Sequence, residues 1–167
     1  MSFPDYEEFI AALNDRGVRY LVIGAYAVAF HARPRATRDL DILLEPTPAN
    51  ARRALAALHD FFGGADLGYS VSDLIDPHWI IQLGVAPVRI DLLSAVPGCS
   101  SFKVAWKNRI ESRFGSVKTY YLGLDDLIRA KAAAGRVQDL ADVRVLRRAR
   151  DQAQQTKRSS RRPGRRR

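Results

Sequence analysis

Residues 37–44, Thr-Arg-Asp-Leu-Asp-Ile-Leu-Leu, alternate polar and apolar side chains and then become fully apolar. That is the pattern of a β-strand with one polar and one buried end. Successive strand side chains point to opposite faces, so Asp39 and Asp41 project from one face, about 7 Å apart along the chain. An acidic pair held at this spacing is the feature around which the rest of the chain is read.

The surrounding segments have their own periodicities. Residues 4–16 place Phe9, Ile10 and Leu13 on one stripe, with Pro4 suited to a first turn and Gly17 to a stop, which predicts a helix. Arg19–Gly24 is a run of β-formers ending at glycine, and the alanine-rich AYAVAFHA follows it, a strand-turn-helix pattern that Arg33-Pro-Arg then breaks. Residues 48–62 form an amphipathic helix closed by Gly63-Gly64, whereas residues 65–78 carry no clear signal. Trp79–Leu83 and Val88–Leu93 are β-like runs able to pair as a hairpin. Residues 100–109 suit a short helix, 117–122 a strand, and 124–150 two helices broken near Gly135. The order α, β, α, β, α, then a β-rich middle, then helices predicts an α/β or α+β domain: a mixed sheet flanked by helices, with further helices at the C-terminal end. The sheet topology is not determined by this order.

With 167 residues and no interdomain linker, one domain over residues 1–150 is expected. No apolar stretch approaches the ~18 residues needed to cross a bilayer, so no membrane association is expected. The acidic N-terminus, MSFPDYEEF, does not resemble a signal peptide, which favours a cytoplasmic location. Cys99 is the single cysteine and reads as a small structural residue. The net charge of +9 is unevenly spread: residues 1–150 hold 20 Lys and Arg against 17 Asp and Glu, and residues 151–167 hold 7 against 1. That C-terminal stretch lacks apolar periodicity and is expected to be a disordered basic tail, either a solvated terminus or a non-specific contact for phosphate backbones.

Two carboxylates at the end of a strand suit a hard divalent cation, which takes oxygen ligands and bridges them to substrate phosphates. Gly24-Ala25 closes one strand and opens a helix, presenting free backbone N–H groups where a triphosphate can dock. A third carboxylate, Asp91, lies among the apolar residues of Val88–Leu93 and needs a cation or hydrogen-bond partners there. The plainer alternative is that Arg89, two residues earlier on the same face, pairs with it.

These residues resemble the nucleotidyltransferase superfamily related to DNA polymerase beta, in its small bacterial branches. The turn, the Asp-x-Asp strand and the third acidic residue correspond to Gly24-Ala25, Asp39-Leu-Asp41 and Asp91. The longer segment LVIGAYAVAFHARPRATRDLDILL is similar to the G-G-x-A-x-x-x-H-x-x-x-R-x-T-x-D-I-D stretch of AbiEii-type nucleotidyltransferases, which include toxins of toxin-antitoxin pairs. LDDLIRAKAAAGRVQDLADVRVL resembles a helical region of the same proteins. Two departures stand out: alanine at position 25, where many members have serine or glycine, and a chain shorter than AbiEii-type toxins.

The resemblance implies Mg2+ (or Mn2+) held by Asp39, Asp41 and Asp91, with a nucleoside triphosphate as co-substrate. It implies transfer of a nucleoside monophosphate to a hydroxyl acceptor, Asp91 taking the acceptor's proton. Gly24, Ala25, Arg35, Thr37, Arg38 and Lys131 are the residues expected to contact or orient the nucleotide. For Arg38, which points away from the Asp39 face, a surface charge is the competing reading, and Lys131 can instead pair with Asp139 and Asp142 at helical spacing. His31 is either a nucleotide contact or a packing residue. The acceptor is an RNA such as tRNA, a protein or a small molecule, and an antitoxin partner is implied if the chain is a toxin. The alternative is an inactive nucleotide- or partner-binding module on the same fold.

Overall fold

The structure, a computed structural model, describes residues 4–34, 37–85 and 88–160. The chain runs α1 (Pro4–Asp15), β1 (Tyr20–Val22), α2 (Gly24–His31), β2 (Asp39–Leu44), α3 (Pro48–Phe61) and α4 (Val71–Ile75). It continues with β3 (Ile80–Val85), β4 (Val88–Leu93), α5 (Phe102–Lys107), β5 (Ile110–Phe114), β6 (Val117–Tyr121), α6 (Leu124–Ala134) and α7 (Val137–Ser160). The strands form one mixed sheet in the order β3-β4-β2-β1-β6-β5. The expected α+β architecture is therefore present, with β3 and β4 paired as an antiparallel hairpin.

Helix α1 buries Tyr6, Phe9, Ile10 and Leu13, a stripe at helical spacing, and packs against α3 and β6. Strand β2 has the burial pattern its sequence implies: Asp39 and Asp41 are partly exposed, Leu40 is buried, and Ile42, Leu43 and Leu44 are all buried. It pairs antiparallel with β1 and parallel with β4, so it lies inside the sheet. Helix α3 starts where the Thr47 side chain accepts a hydrogen bond from the Asn50 N–H, and α6 ends where Gly135 adopts φ 68°. Among the described residues, no helix is long and apolar enough to cross a membrane.

Three segments differ from expectation. Residues 71–75, in the unassigned stretch, form α4 behind a Ser70–Asp73 capping box. Strand β5, read as no element, is a mostly exposed edge strand whose ladder partner is β6 alone, so it carries little apolar signal of its own. Helix α7 continues to Ser160 instead of ending near residue 150. Among its residues whose burial is described, Leu146 is the last buried one, but residues 151–160 contain neither glycine nor proline and hold helix formers. A helix already nucleated adds one hydrogen bond per residue along such a stretch. Residues 161–167 lie outside the described residues.

Candidate active site

The parallel register of β2 and β4 places Asp41 opposite Asp91 and Asp39 opposite Arg89. Strand alternation then sends all four side chains to one face of the sheet. The acidic residues the sequence singled out are brought together in this way, although the third lies far along the chain from the other two. The register is held at the polar end by Tyr6. Its hydroxyl donates to the Arg38 carbonyl at 2.7 Å and accepts from the Arg89 N–H at 3.2 Å, joining the starts of β2 and β4. Tyr6 is missing from the sequence-derived set because a tyrosine on an apolar helix stripe looks like core, and only the fold shows what its hydroxyl reaches.

The glycine turn abuts the same face. Ile23 donates its N–H to the Asp41 carbonyl at 3.0 Å, and Gly24 follows with φ 62°. Helix α2 starts there without a side-chain cap, so its first-turn amides are not used by a capping group. Gly24, Ala25, Thr37, Asp39, Asp41 and Asp91 line one cleft of about 620 Å³, together with Lys131, Arg136 and Asp139. The Thr37 hydroxyl meets the Asp39 main chain, accepting from its N–H at 3.3 Å.

Like charges crowd this cleft. Burial, and after it the negative charge of Asp91, pushes the Asp41 carboxyl up to about 6, with Lys131 opposing the shift. Asp91 is only 8% exposed, and burial raises it too, against the charge of Arg89. Arg89 sits among the carboxylates, with Nη2 2.8 Å from Asp39 Oδ2 and Nε 3.1 Å from Asp91 Oδ1. The pairing that the plainer reading of Asp91 anticipated is thus present. Gln82, opposite Asp91 on β3, also acts to lower that carboxyl.

Lys131 lines the cleft, but its ammonium is bound by Asp139 at 2.7 Å and Asp142 at 3.2 Å. Arg136 adds a second cation to Asp139 at 2.7 Å. Burial acts to raise Asp139, yet hydrogen bonds from Lys131 and Arg136 outweigh it and hold the carboxyl below its usual range. The side chain of Arg38 is exposed and is not among those lining the cleft, as its strand parity implies. Arg35 lies outside the described residues. The His31 Nε2 is 2.7 Å from the Leu122 carbonyl, so this residue ties α2 to the segment after β6.

Among the described residues, no three His, Cys, Asp or Glu side chains converge in a ready metal-holding group. The Arg89 guanidinium lies against Asp39 and Asp91. The donor set nonetheless suits a hard cation, being all carboxylate oxygen. Asp91 Oδ1 is buried and makes no aligned hydrogen bond despite the nearby Arg89 Nε, so it retains a lone pair that a cation would use.

No curated protein significantly matches the chain. Over residues 4–147 it matches the family described as nucleotidyltransferase of unknown function (DUF6036). That match takes in the glycine turn, the acidic strands and the Lys131 network alike, and the chain belongs to this family.

Proposed function

We propose that the protein transfers a nucleoside monophosphate from a nucleoside triphosphate to a hydroxyl acceptor, as in the AbiEii-type and polymerase-beta-related enzymes it resembles. The observation that carries this reading is the β2/β4 register, which gathers Asp39, Asp41 and Asp91 on one face beside the Gly24 turn. Asp39, Asp41 and Asp91 are the residues that would hold Mg2+ or Mn2+. Bound metal supplies charge neutralisation for the triphosphate and the departing pyrophosphate.

The chain's own groups do the rest. The open amides at the start of α2, at Gly24 and Ala25, face phosphate oxygens. The acceptor oxygen bonds to the α-phosphorus as the bond from that phosphorus to pyrophosphate breaks, and Asp91 takes the hydroxyl proton. Burial has already raised the proton affinity of Asp91, which suits it to that role. Lys131 acts through Asp139 and by offsetting the charge on Asp41. An RNA or protein acceptor fits the basic C-terminal stretch. Membership of a toxin-antitoxin pair follows from the resemblance alone.

A second reading, an inactive nucleotide- or partner-binding module, is favoured by one observation: Arg89 already pairs with Asp39 and Asp91. Incubation with each labelled nucleoside triphosphate, Mg2+ and a cell extract separates the two. The enzyme labels a macromolecule or small molecule, and Asp41→Ala abolishes the label. Triphosphate binding without transfer under any of these conditions would leave the binding module.

A further inference from the structure

We propose that Arg89 is a built-in competitor of the divalent metal: its guanidinium occupies the cation position between Asp39 and Asp91, and metal enters only as that side chain leaves. The inference rests on the reading that these aspartates hold a metal, and it concerns how the same site is controlled.

Backbone geometry brings the guanidinium to the carboxylates. Arg89 is two residues before Asp91 on β4 and directly opposite Asp39 on β2, so strand alternation aims it at the face the carboxylates share. Its Nη2 lies 2.8 Å from Asp39 Oδ2 and 3.4 Å from Asp91 Oδ2, so one nitrogen touches both acids. Three carboxylates facing one another without a cation repel strongly, and the guanidinium offsets part of that repulsion.

The contact is also poorly made. Arg89 Nε and Asp91 Oδ1 are 3.1 Å apart, yet both are buried without an aligned hydrogen bond. An arginine that matches carboxylate geometry forms two parallel N–H···O bonds, and this one does not. A single positive charge also leaves three carboxylates under-neutralised, whereas a divalent ion supplies twice the charge and takes the lone pair on Asp91 Oδ1. The Arg89 side chain is 37% exposed, so it has a route into solvent. The other cations lining the cleft are engaged elsewhere, Lys131 by Asp139 and Asp142 and Arg136 by Asp139. Arg89 is therefore the group that exchanges.

The test is Mn2+ binding to the full chain without nucleotide, read by loss of the free-ion electron paramagnetic resonance signal. Arg89→Met removes the charge and keeps the length of the side chain. An opposite charge this close changes a carboxylate's affinity for a proton by about tenfold or more, and a metal ion competes for the same oxygens. Arg89→Met should accordingly bind Mn2+ about tenfold more tightly than wild type, and Asp91→Asn added to that variant should remove the gain. Arg89→Gln, which also removes the charge but keeps hydrogen-bonding capacity on the strand, serves should the methionine variant fail to fold. It too should bind more tightly than wild type. Wild type that binds Mn2+ while the folded variants bind no more tightly would overturn the role of Arg89 and leave the metal reading standing. Absence of Mn2+ binding in wild type and in every variant would overturn both.

Discussion

Gly24 lies so close to Asp41 that a Cβ on the glycine would fall 1.9 Å from Asp41 Oδ2. The same glycine has φ 62°, a conformation L side chains rarely adopt. Gly24→Ala therefore forces both a strained backbone and displacement of an acidic side chain. We expect it to lower the unfolding free energy by about 2–4 kcal/mol, combining the left-handed penalty with overpacking. Nucleotidyl transfer should fall below detection. Urea denaturation and the labelling assay check the two effects, and a variant with wild-type stability and activity would show that the turn is not held against Asp41.

Asp41 supplies a pH signature. Its carboxyl is raised from 3.8 to about 6 on folding, so the native state holds the proton more tightly than the unfolded chain. The associated stability is fully present below about pH 3.8 and is lost as pH rises through about 6. At 1.36 kcal/mol per pKa unit, the loss amounts to at most about 3 kcal/mol. Asp60 and Asp139 are shifted the opposite way, so the informative quantity is the difference between wild type and Asp41→Asn. In chelator-treated protein, the stability of wild type relative to Asp41→Asn should fall between pH 4 and 6 and then level off. A relative stability that rises across that window would contradict the environment assigned to Asp41.

Lys131 is a structural cation before it is anything else. Asp139 and Asp142 are 2% and 4% exposed, and Lys131 binds both. Lys131→Met should cost about 3 kcal/mol, because breaking a buried ion pair leaves charge without its partner in a low-dielectric site. Lys131→Arg should recover part of that. If Lys131 instead served chiefly as a phosphate ligand, Lys131→Met would leave thermal stability unchanged and raise only the KM for the triphosphate.

Much of this architecture is legible in local sequence patterns. The stripe of Phe9, Ile10 and Leu13, the strand-turn-helix around Gly24, and the half-polar strand bearing Asp39 and Asp41 are local patterns, and each forms where its pattern lies. Strand β5 was not legible, because its residues are mostly exposed and the ladder of β6 organises them. The helical course of residues 151–160 is not legible locally, because a polar, charged stretch looks unstructured unless a preceding helix extends into it.

The sequence by itself determined that Asp39 and Asp41 share a face, since strand alternation is a property of adjacent residues. Tertiary structure alone decided that β4 lies parallel to β2 in the register that sets Asp91 opposite Asp41. It also decided that Arg89 stands against Asp39, and that the Tyr6 hydroxyl ties the two strands together. The physical reason is that strand register depends on which apolar faces are buried and which backbone groups find partners across the sheet. Those partners are remote in the chain, and no local pattern records them.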